Sequence, residues 1–397
     1  MPATPNRRIT ITPWMQRAIA AWTLVVLIIT IRLLTAHNIE RHSVYPPYIV
    51  AARHWVAGED VYGPTCLFYR YSPLFAASFT PFTLLSDRSG NIVWRWMNFA
   101  AYFAVLGWWM RCVLRKPESE DQRGIFLLLL IPLSVGSMNN GQANVLMTVL
   151  MLGALLCAVW QRWTTSAVLL ALAVHLKLYP LALALVMVVL WPRQLGWRFV
   201  AALAGSVALS FVLQSPQYVA AQYAGWYEHL IGDLRLEQAA DVAYRDLRLL
   251  LNVMHLYPGH LAYFILQMAG AAAVAVACIR MKRLAMPPRR LAALVYALVA
   301  CWILLLGPSS ESSTYILLAP ALAWLLVEAW TAARPAAERA VLSAACFLLL
   351  VTMIANWLPF VTKVHALGLH PLAVLLTLGC VVYESLASSL RRSEAAA

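Results

Sequence analysis

This chain of 397 residues is 62% hydrophobic and only 12% charged, and its mean hydropathy is +0.71. Soluble domains carry roughly 25% charged residues, so this composition excludes an ordinary soluble fold and predicts an all-α polytopic integral membrane protein. The formal net charge of +13 does not indicate a nucleic-acid partner, because the basic residues form short clusters between apolar runs.

The apolar runs predict about 10–12 transmembrane helices in a single membrane-embedded domain covering 1–397. The segments at 124–137 and 166–192 are short for full spans, which favours broken helices or half-spans. The first run resembles a signal sequence. It is long enough to cross a bilayer and no small-residue cleavage site follows, so we interpret it as an uncleaved span. The predicted segments are 18–35, 92–113, 124–137, 143–160, 166–177, 180–192, 198–214, 259–279, 290–307, 314–330, 340–358 and 370–389.

Lys and Arg residues are concentrated in the short connections on one side of these segments. By the positive-inside rule this distribution predicts that both termini are cytoplasmic, in a bacterial-type cytoplasmic (inner) membrane. The orientation leaves two long loops on the outer face, at about 37–91 and 215–260. The first loop is rich in aromatic residues and prolines, which favours a site at the membrane surface over a flexible linker.

A short helix is predicted within the first loop, because Pro46 and Pro47 are well suited to a first helical turn. On such a helix Tyr48 and Trp55 would share one face with Ala52 and Val56. Two interpretations are equally supported. The helix lies in the membrane interface with its aromatics at headgroup level, or it is an ordinary amphipathic loop helix.

Neither a disulfide nor a metal centre is predicted. Every cysteine except Cys66 lies in or beside an apolar run, and no Cys-x-x-Cys, Cys/His or Asp-x-Asp spacing occurs. We therefore expect no cofactor and no obligatory divalent cation.

Four polar clusters interrupt the apolar pattern, at 69–73, 139–144, 175–180 and 307–315. The orientation, which rests on positive charge alone, places all four at outer ends of spans, on the side of the long loops. This shared placement is the main argument from the residues themselves for an outward-facing site.

Lys177 is the most informative single residue, because it interrupts the apolar stretch between Ala167 and Trp191. A charge at membrane depth is costly and usually marks function, and an ammonium there suits a lipid-linked phosphate. The alternative is a lysine that snorkels from a helix end, since Pro180 breaks the helix nearby.

Each remaining candidate has a functional and a structural interpretation. The amides of Asn140 and Gln142 suit sugar hydroxyls or cap helices around a glycine turn. Arg70 binds a phosphate or is a solvated loop arginine. Glu311 is a general base or complements the dipole at the start of a helix. His175, on an apolar helix, is more often a satisfied core histidine than a ligand.

In their order along the chain, these clusters resemble glycosyltransferase family 87, whose members use polyprenyl-phosphate sugars and belong to the GT-C superfamily. The similarity lies in Gly-x-Asp-x-Tyr, Tyr-x-Tyr-Ser-Pro-Leu, Asn-Gly-Gln-x-Asn and Lys-Leu-Tyr-Pro. The matching residues are Gly58, Asp60, Tyr62, Tyr69, Tyr71, Ser72, Pro73, Asn140, Gly141, Gln142, Asn144, Lys177, Tyr179 and Pro180.

The resemblance implies a GT-C-like fold with a long first outer loop and a membrane hexosyltransferase, possibly specific for mannose. The donor would be a polyprenyl-phosphate-linked sugar and the acceptor a lipid or glycan on the outer face. For such an enzyme we expect Glu311 or Glu40 as the catalytic base and Lys177 and Arg70 at the phosphate. The residues implied at the sugar are Tyr71, Asn140, Gln142, Tyr179 and Tyr315.

The chain departs from the family pattern where the base on the acceptor hydroxyl is expected. The early loop position before a Tyr and an Ala-Ala pair is usually acidic, but here Ser43-Val44-Tyr45 precede Ala51-Ala52, and the nearest upstream acid is Glu40. Either another acid has taken the role, or catalysis has changed or been lost. A flippase for a lipid-linked sugar and a non-catalytic relative that binds the carrier are therefore the alternatives.

Overall fold

The computed structural model describes residues 11–38, 43–66, 69–116, 119–232, 243–308, 310–355 and 364–396. Throughout these ranges the regular structure is helical, without strands, which confirms the predicted all-α class. The helices are α1 (Pro13–Thr35), α2 (Tyr45–Ala57), α3 (Pro73–Phe79), α4 (Asp87–Val113), α5 (Glu120–Asn140), α6 (Asn144–Val159), α7 (Trp163–Leu176), α8 (Pro180–Leu190), α9 (Trp197–Leu213), α10 (Pro216–Ile231), α11 (Leu247–Val253), α12 (His260–Arg283), α13 (Pro288–Leu306), α14 (Ala319–Thr331), α15 (Ala336–Ala355) and α16 (Leu369–Ala396).

Several of these helices are suited to a bilayer, and the protein is a polytopic membrane protein. In the described part of the chain, six helices are long and apolar enough to cross a membrane, and α6, α7 and α8 are shorter apolar helices. Burial within the protein separates their roles. In the apolar stretch of α13, 83% of the residues are buried, against 11% in α12, so α13 is central and α12 presents its side chains outward. The six are Pro13–Thr35, Pro192–Leu213, His260–Arg283, Pro288–Leu306, Ala336–Ala355 and Leu369–Leu386.

The two short segments predicted from the sequence have different outcomes. The expectation of a broken or half-length helix at 124–137 is wrong, because α5 is a continuous helix of 21 residues. Ser119 caps it, Glu120 and Asp121 extend it at its start, and Pro132 is accommodated inside it. By contrast, α7 and α8 have only 14 and 11 residues, and the helix is interrupted between them.

The predicted loop helix exists as α2, but its aromatic face is buried in the protein and does not face the lipid headgroups. Tyr48 is fully buried and packs edge-to-face on Phe75 and Trp94, while Val56 is 55% exposed. The interfacial interpretation is therefore wrong. The physical reason is that α3 folds against α2, so the aromatic face of α2 becomes part of the protein core.

A buried arginine in α4 holds the turn between α5 and α6. The side chain of Arg95 is 1% exposed, and its Nε and Nη2 donate to the carbonyl of Asn139 at 3.1 and 2.8 Å. Nη2 also donates to Ser43 Oγ at 3.2 Å, and the backbone N–H of Val44 donates to the Asn140 carbonyl at 2.9 Å. The first loop and the α5–α6 turn are thus fastened to one guanidinium.

Gly141 is needed at the centre of this turn for two reasons. Its φ of +67° lies in the left-handed region, where L-residues with side chains are disfavoured. A Cβ at this position would also lie 2.9 Å from Nη1 of Arg95. The glycine therefore lets the backbone both reverse and approach the buried arginine.

Replacement of Gly141 by alanine is expected to lower the Tm of the purified protein in detergent. The left-handed conformation costs a side-chain-bearing residue about 1–2 kcal/mol, and the added methyl meets Arg95. Gly107→Ala in α4 is the matched control, because a Cβ there meets nothing within 4 Å. The control should leave the Tm unchanged or raise it, and an unchanged Tm for Gly141→Ala would contradict this account of the turn.

A network of buried ion pairs links α13, α14, α15 and α16 at the end of the bundle opposite the α5–α6 turn. Arg334 contacts Glu328 at 2.9 Å, Glu338 at 2.6 Å and Glu384 at 2.8 Å. Arg290 at the start of α13 also pairs with Glu328 and Glu384. Since the carboxylates are largely removed from solvent, each depends on these guanidinium groups for compensation.

Arg334→Gln is expected to destabilise the protein by about 3–5 kcal/mol, because it removes the ion pair of the buried Glu338 and leaves Glu328 and Glu384 to share Arg290. Thermal or denaturant unfolding in detergent measures the loss. Arg283→Gln removes the same charge from an exposed position at the end of α12 and should change stability little. Equal effects of the two substitutions would show that the network does not stabilise the fold.

Candidate active site

Lys177 lies at the break between α7 and α8. The helix ends at Leu176, and Pro180 begins the next one, because proline lacks an N–H and suits a first turn. Lys177 takes an extended backbone with φ of −156° and ψ of 155°, and it is half-buried. Its Nζ lies 5.4 Å from the ring centre of Tyr179 and 5.9 Å from that of Tyr71. The break thus places an ammonium group over two aromatic rings.

Tyr71 is buried beside Lys177 and is part of a short hydroxyl chain. Its Oη lies 2.6 Å from Oη of Tyr48, which accepts the backbone N–H of Ala143 at 3.2 Å. Burial raises the pKa of Tyr71 well above its usual range, and the neighbouring Tyr48 and the negative charge of Glu311 raise it further. Tyr71 is therefore a neutral hydroxyl donor or acceptor at physiological pH.

Glu311 caps a short 3-10 helix, Ser312–Leu317. Its carboxylate accepts the backbone N–H of Thr314, whose Oγ1 accepts the N–H of Glu311 at 3.2 Å. The structural interpretation weighed from the sequence is therefore realised as a capping box.

A cavity of about 420 Å³ opens between α1, α5, α15 and α16. This volume is in the range of small-molecule sites. It brings together Asn140 and Tyr315 of the predicted residues, whereas Lys177, Arg70, Tyr71, Gln142 and Tyr179 do not line it. Its polar lining comprises Arg32, Asn139, Asn140, Ser312, Ser313, Tyr315, Thr352 and His370.

The asparagine-rich turn joins the cavity to the aromatic cluster. The half-buried side chain of Asn140 lines the cavity, while its carbonyl accepts from Val44 in the first loop. Gln142 is buried, and its backbone N–H donates to the Ser137 carbonyl at 2.9 Å as α5 ends. Asn144 Nδ2 donates to Ser313 Oγ at 3.4 Å, which links the turn to the segment that carries Glu311.

Arg70 and Tyr315 connect the site to the second long loop. Arg70 Nη1 donates to Tyr244 Oη at 3.2 Å, and the Arg70 carbonyl accepts from Trp226 Nε1 at 3.4 Å. Tyr315 donates to the Arg245 carbonyl at 2.5 Å. Arg70 is therefore held against the second long loop, next to Tyr71 in the chain, while Tyr315 forms part of the cavity wall.

Two further expectations concern His175 and Glu40. His175 is buried, with Nδ1 3.2 Å from Ser72 Oγ and Nε2 2.7 Å from Ser206 Oγ, which is the satisfied core histidine predicted from the sequence. Glu40, the second candidate base, lies outside the described residues.

Four residues at or near the site were missed from the sequence. Arg95 and Arg32 interrupt apolar runs, which is the same signal that marked Lys177. His370 lies on α16 in the cavity wall, its ring 4.7 Å from that of Tyr315. Asp246 caps α11, and burial raises its pKa to about 6. The first two could have been found from charge placement, but His370 and Asp246 carry no such local signal.

Within the described ranges, the cysteines are free and no group of three or more His, Cys, Asp or Glu side chains is arranged to hold a metal ion. Independence from metal ions and from a cofactor stays a prediction.

Comparison with known proteins supports the resemblance. Residues 68–308 match glycosyltransferase family 87, a region that includes Arg70, Lys177 and Tyr179 but ends before Glu311. A segment of 144 residues is 32% identical to GPI alpha-1,4-mannosyltransferase I, catalytic subunit, from Danio rerio. That segment covers 36% of this chain, and the chain spans only about a third, 35%, of the relative's length. No solved structure gives a significant match.

The family match covers more than half of the chain and includes the aromatic motif, the asparagine turn and the Lys177 break. The resemblance inferred from those motifs is thereby confirmed. This membrane protein belongs to glycosyltransferase family 87.

Proposed function

We propose that this protein is a membrane hexosyltransferase, with mannose as the favoured sugar. The donor is a polyprenyl-phosphate-linked sugar, and the acceptor is a lipid or glycan at the outer face of the cytoplasmic membrane, with both termini cytoplasmic. Membership of glycosyltransferase family 87 supports sugar transfer. The partial similarity to a mannosyltransferase catalytic subunit supports mannose.

The observation that carries the proposal is the Lys177 ammonium over Tyr71 and Tyr179 at an interrupted helix. An ammonium is a compact point charge that suits a phosphate, and the half-buried position strengthens its attraction. Non-helical backbone at membrane depth is tolerated where it lines a cavity or is covered by protein. Lys177 therefore binds the phosphate of the donor, and Arg70 assists it.

The sugar lies between this cation and the 420 Å³ cavity. Amide and hydroxyl groups recognise sugar hydroxyls without adding charge. Asn140 and Tyr315 supply such groups in the cavity, and Tyr71 supplies one beside the cation. Gln142, in the α5–α6 turn, and Tyr179, at the break between α7 and α8, complete the sugar-binding groups.

The transfer step requires a base and a stabilised leaving group. The acceptor oxygen attacks the anomeric carbon, its proton passes to Glu311, and the bond from that carbon to the phosphate oxygen breaks. The electron pair leaves with polyprenyl phosphate, whose charge Lys177 stabilises. General-base catalysis contributes a factor of about 10²–10⁴. The capping bond from the Thr314 N–H holds the Glu311 carboxylate in place. Glu40 is the alternative base.

Lys177→Ala and Glu311→Gln are each expected to reduce transfer by about 100-fold or more, through loss of phosphate stabilisation and of the base respectively. The assay supplies purified protein with radiolabelled polyprenyl-phosphate mannose and a membrane lipid extract. Lys116→Ala and Glu228→Gln are matched controls at exposed positions and should retain activity. Glu40→Gln, tested in parallel, identifies the base if Glu311→Gln is active.

Two outcomes contradict the proposal at different levels. Transfer that survives Lys177→Ala, Glu311→Gln and Glu40→Gln would overturn the site assignment while leaving the activity intact. Absence of transfer from any donor, together with movement of sugar-lipid across liposome membranes, would establish a flippase instead.

Exhaustive chelation of divalent cations is expected to leave transfer unchanged, because Lys177 and Arg70 supply the positive charge at the phosphate. The measurement compares initial rates with and without chelator at equal ionic strength. Loss of turnover that an added divalent cation restores would show that a metal ion is required.

A further inference from the structure

A second pocket, lined by arginine and tryptophan side chains, lies at the end of the bundle opposite Lys177 and Glu311. It has a volume of about 400 Å³ and is lined by Trp108, Arg111, Trp160, Arg162 and Arg289. Arg111 lies in the last turn of α4, Arg162 between α6 and α7, and Arg289 in the first turn of α13. Of these helices, α4, α6 and α13 pack on one another and α7 packs on α6, so residues distant in sequence converge at one place.

The three guanidinium groups of this pocket are exposed and carry no counter-charge within the described residues, where none of them forms an ion pair. The neighbouring residues Arg289 and Arg290 differ in this respect. Arg290 pairs with Glu328 and Glu384, whereas Arg289 lines the pocket. Charges that only orient the spans need to lie on one side of the membrane, but they need not converge on one cavity.

Two indole rings form the apolar part of the same pocket. The ring centres of Trp108 and Trp160 are 5.1 Å apart, and Trp160 is 41% exposed. Tryptophan favours the level of lipid headgroups, where its ring is half in apolar and half in polar surroundings. Indoles beside guanidinium groups therefore suit the headgroup level of a membrane.

We propose that this pocket binds the phosphate of an anionic phospholipid headgroup from the leaflet opposite the candidate active site. Guanidinium groups form paired hydrogen bonds with phosphate oxygens, and the indoles contact the glycerol and upper acyl carbons. Basic pockets between membrane helices suit such headgroups. The site takes no part in the proposed sugar transfer, so it stands whether or not that function is correct.

Native mass spectrometry of the purified full-length protein in detergent tests this proposal. Phosphatidylglycerol and phosphatidylcholine with the same acyl chains are added separately. The triple variant Arg111→Gln/Arg162→Gln/Arg289→Gln is compared with the control Arg193→Gln/Arg280→Gln/Arg283→Gln, which removes equal charge from other exposed arginines. Wild type and control should retain phosphatidylglycerol at least about tenfold more strongly than the triple variant does.

Retention of phosphatidylcholine by the wild type equal to that of phosphatidylglycerol would overturn the proposal, as would equal phosphatidylglycerol binding by the triple variant. Displacement of the lipid by an equal concentration of inorganic phosphate would show that a free anion is the ligand and would also overturn it. If the triple variant fails to give a monodisperse protein, the three single variants replace it. Each should then bind phosphatidylglycerol more weakly than the wild type, and unchanged binding by all three would refute the site.

Discussion

The buried guanidinium of Arg95 is the interaction on which the arrangement of the site depends. It donates to the Asn139 carbonyl and to Ser43, so α4, the α5–α6 turn and the start of the first-loop helix share one anchor. A charge this deeply buried is stable only when its donors are satisfied, and carbonyl oxygens at a helix end are available acceptors. The positions of Asn140 and Tyr48 relative to one another follow from this anchor and from the glycine that approaches it.

The candidate site is organised around interrupted helices. α5 ends at a left-handed glycine, α7 ends before Lys177, and Glu311 caps a short helix before α14. Each interruption exposes backbone and polar groups that a continuous helix would hide. Lys177 lies close to Tyr71, while Asn140 and Tyr315 line the cavity, which Lys177 and Tyr71 do not line. This division suits the proposed donor, which has a charged phosphate at one end and a neutral sugar at the other.

At the end of the bundle opposite the candidate site, some arginines are paired with glutamates and others line an open pocket. Arg290 and Arg334 are matched by three glutamates in a buried network, while Arg111, Arg162 and Arg289 converge on an open pocket beside two indoles. Compensated charge there stabilises the packing of α13 to α16. The three arginines of the pocket form no ion pair with any residue that the structure describes, and an anion can supply such a partner.

The sequence by itself determined the membrane class, the family and the break at Lys177, because hydrophobic composition, motif order and proline placement are local properties. It did not predict the length of α5, because the apolar run alone is short for a span and a charged first turn extends the helix to 21 residues. It also misplaced Tyr48, because burial of α2 depends on α3 folding against it. Only the tertiary structure decided that Arg95 is an anchor, that His370 lines the cavity and that Asn144 bonds to Ser313, because these contacts join segments far apart in the chain.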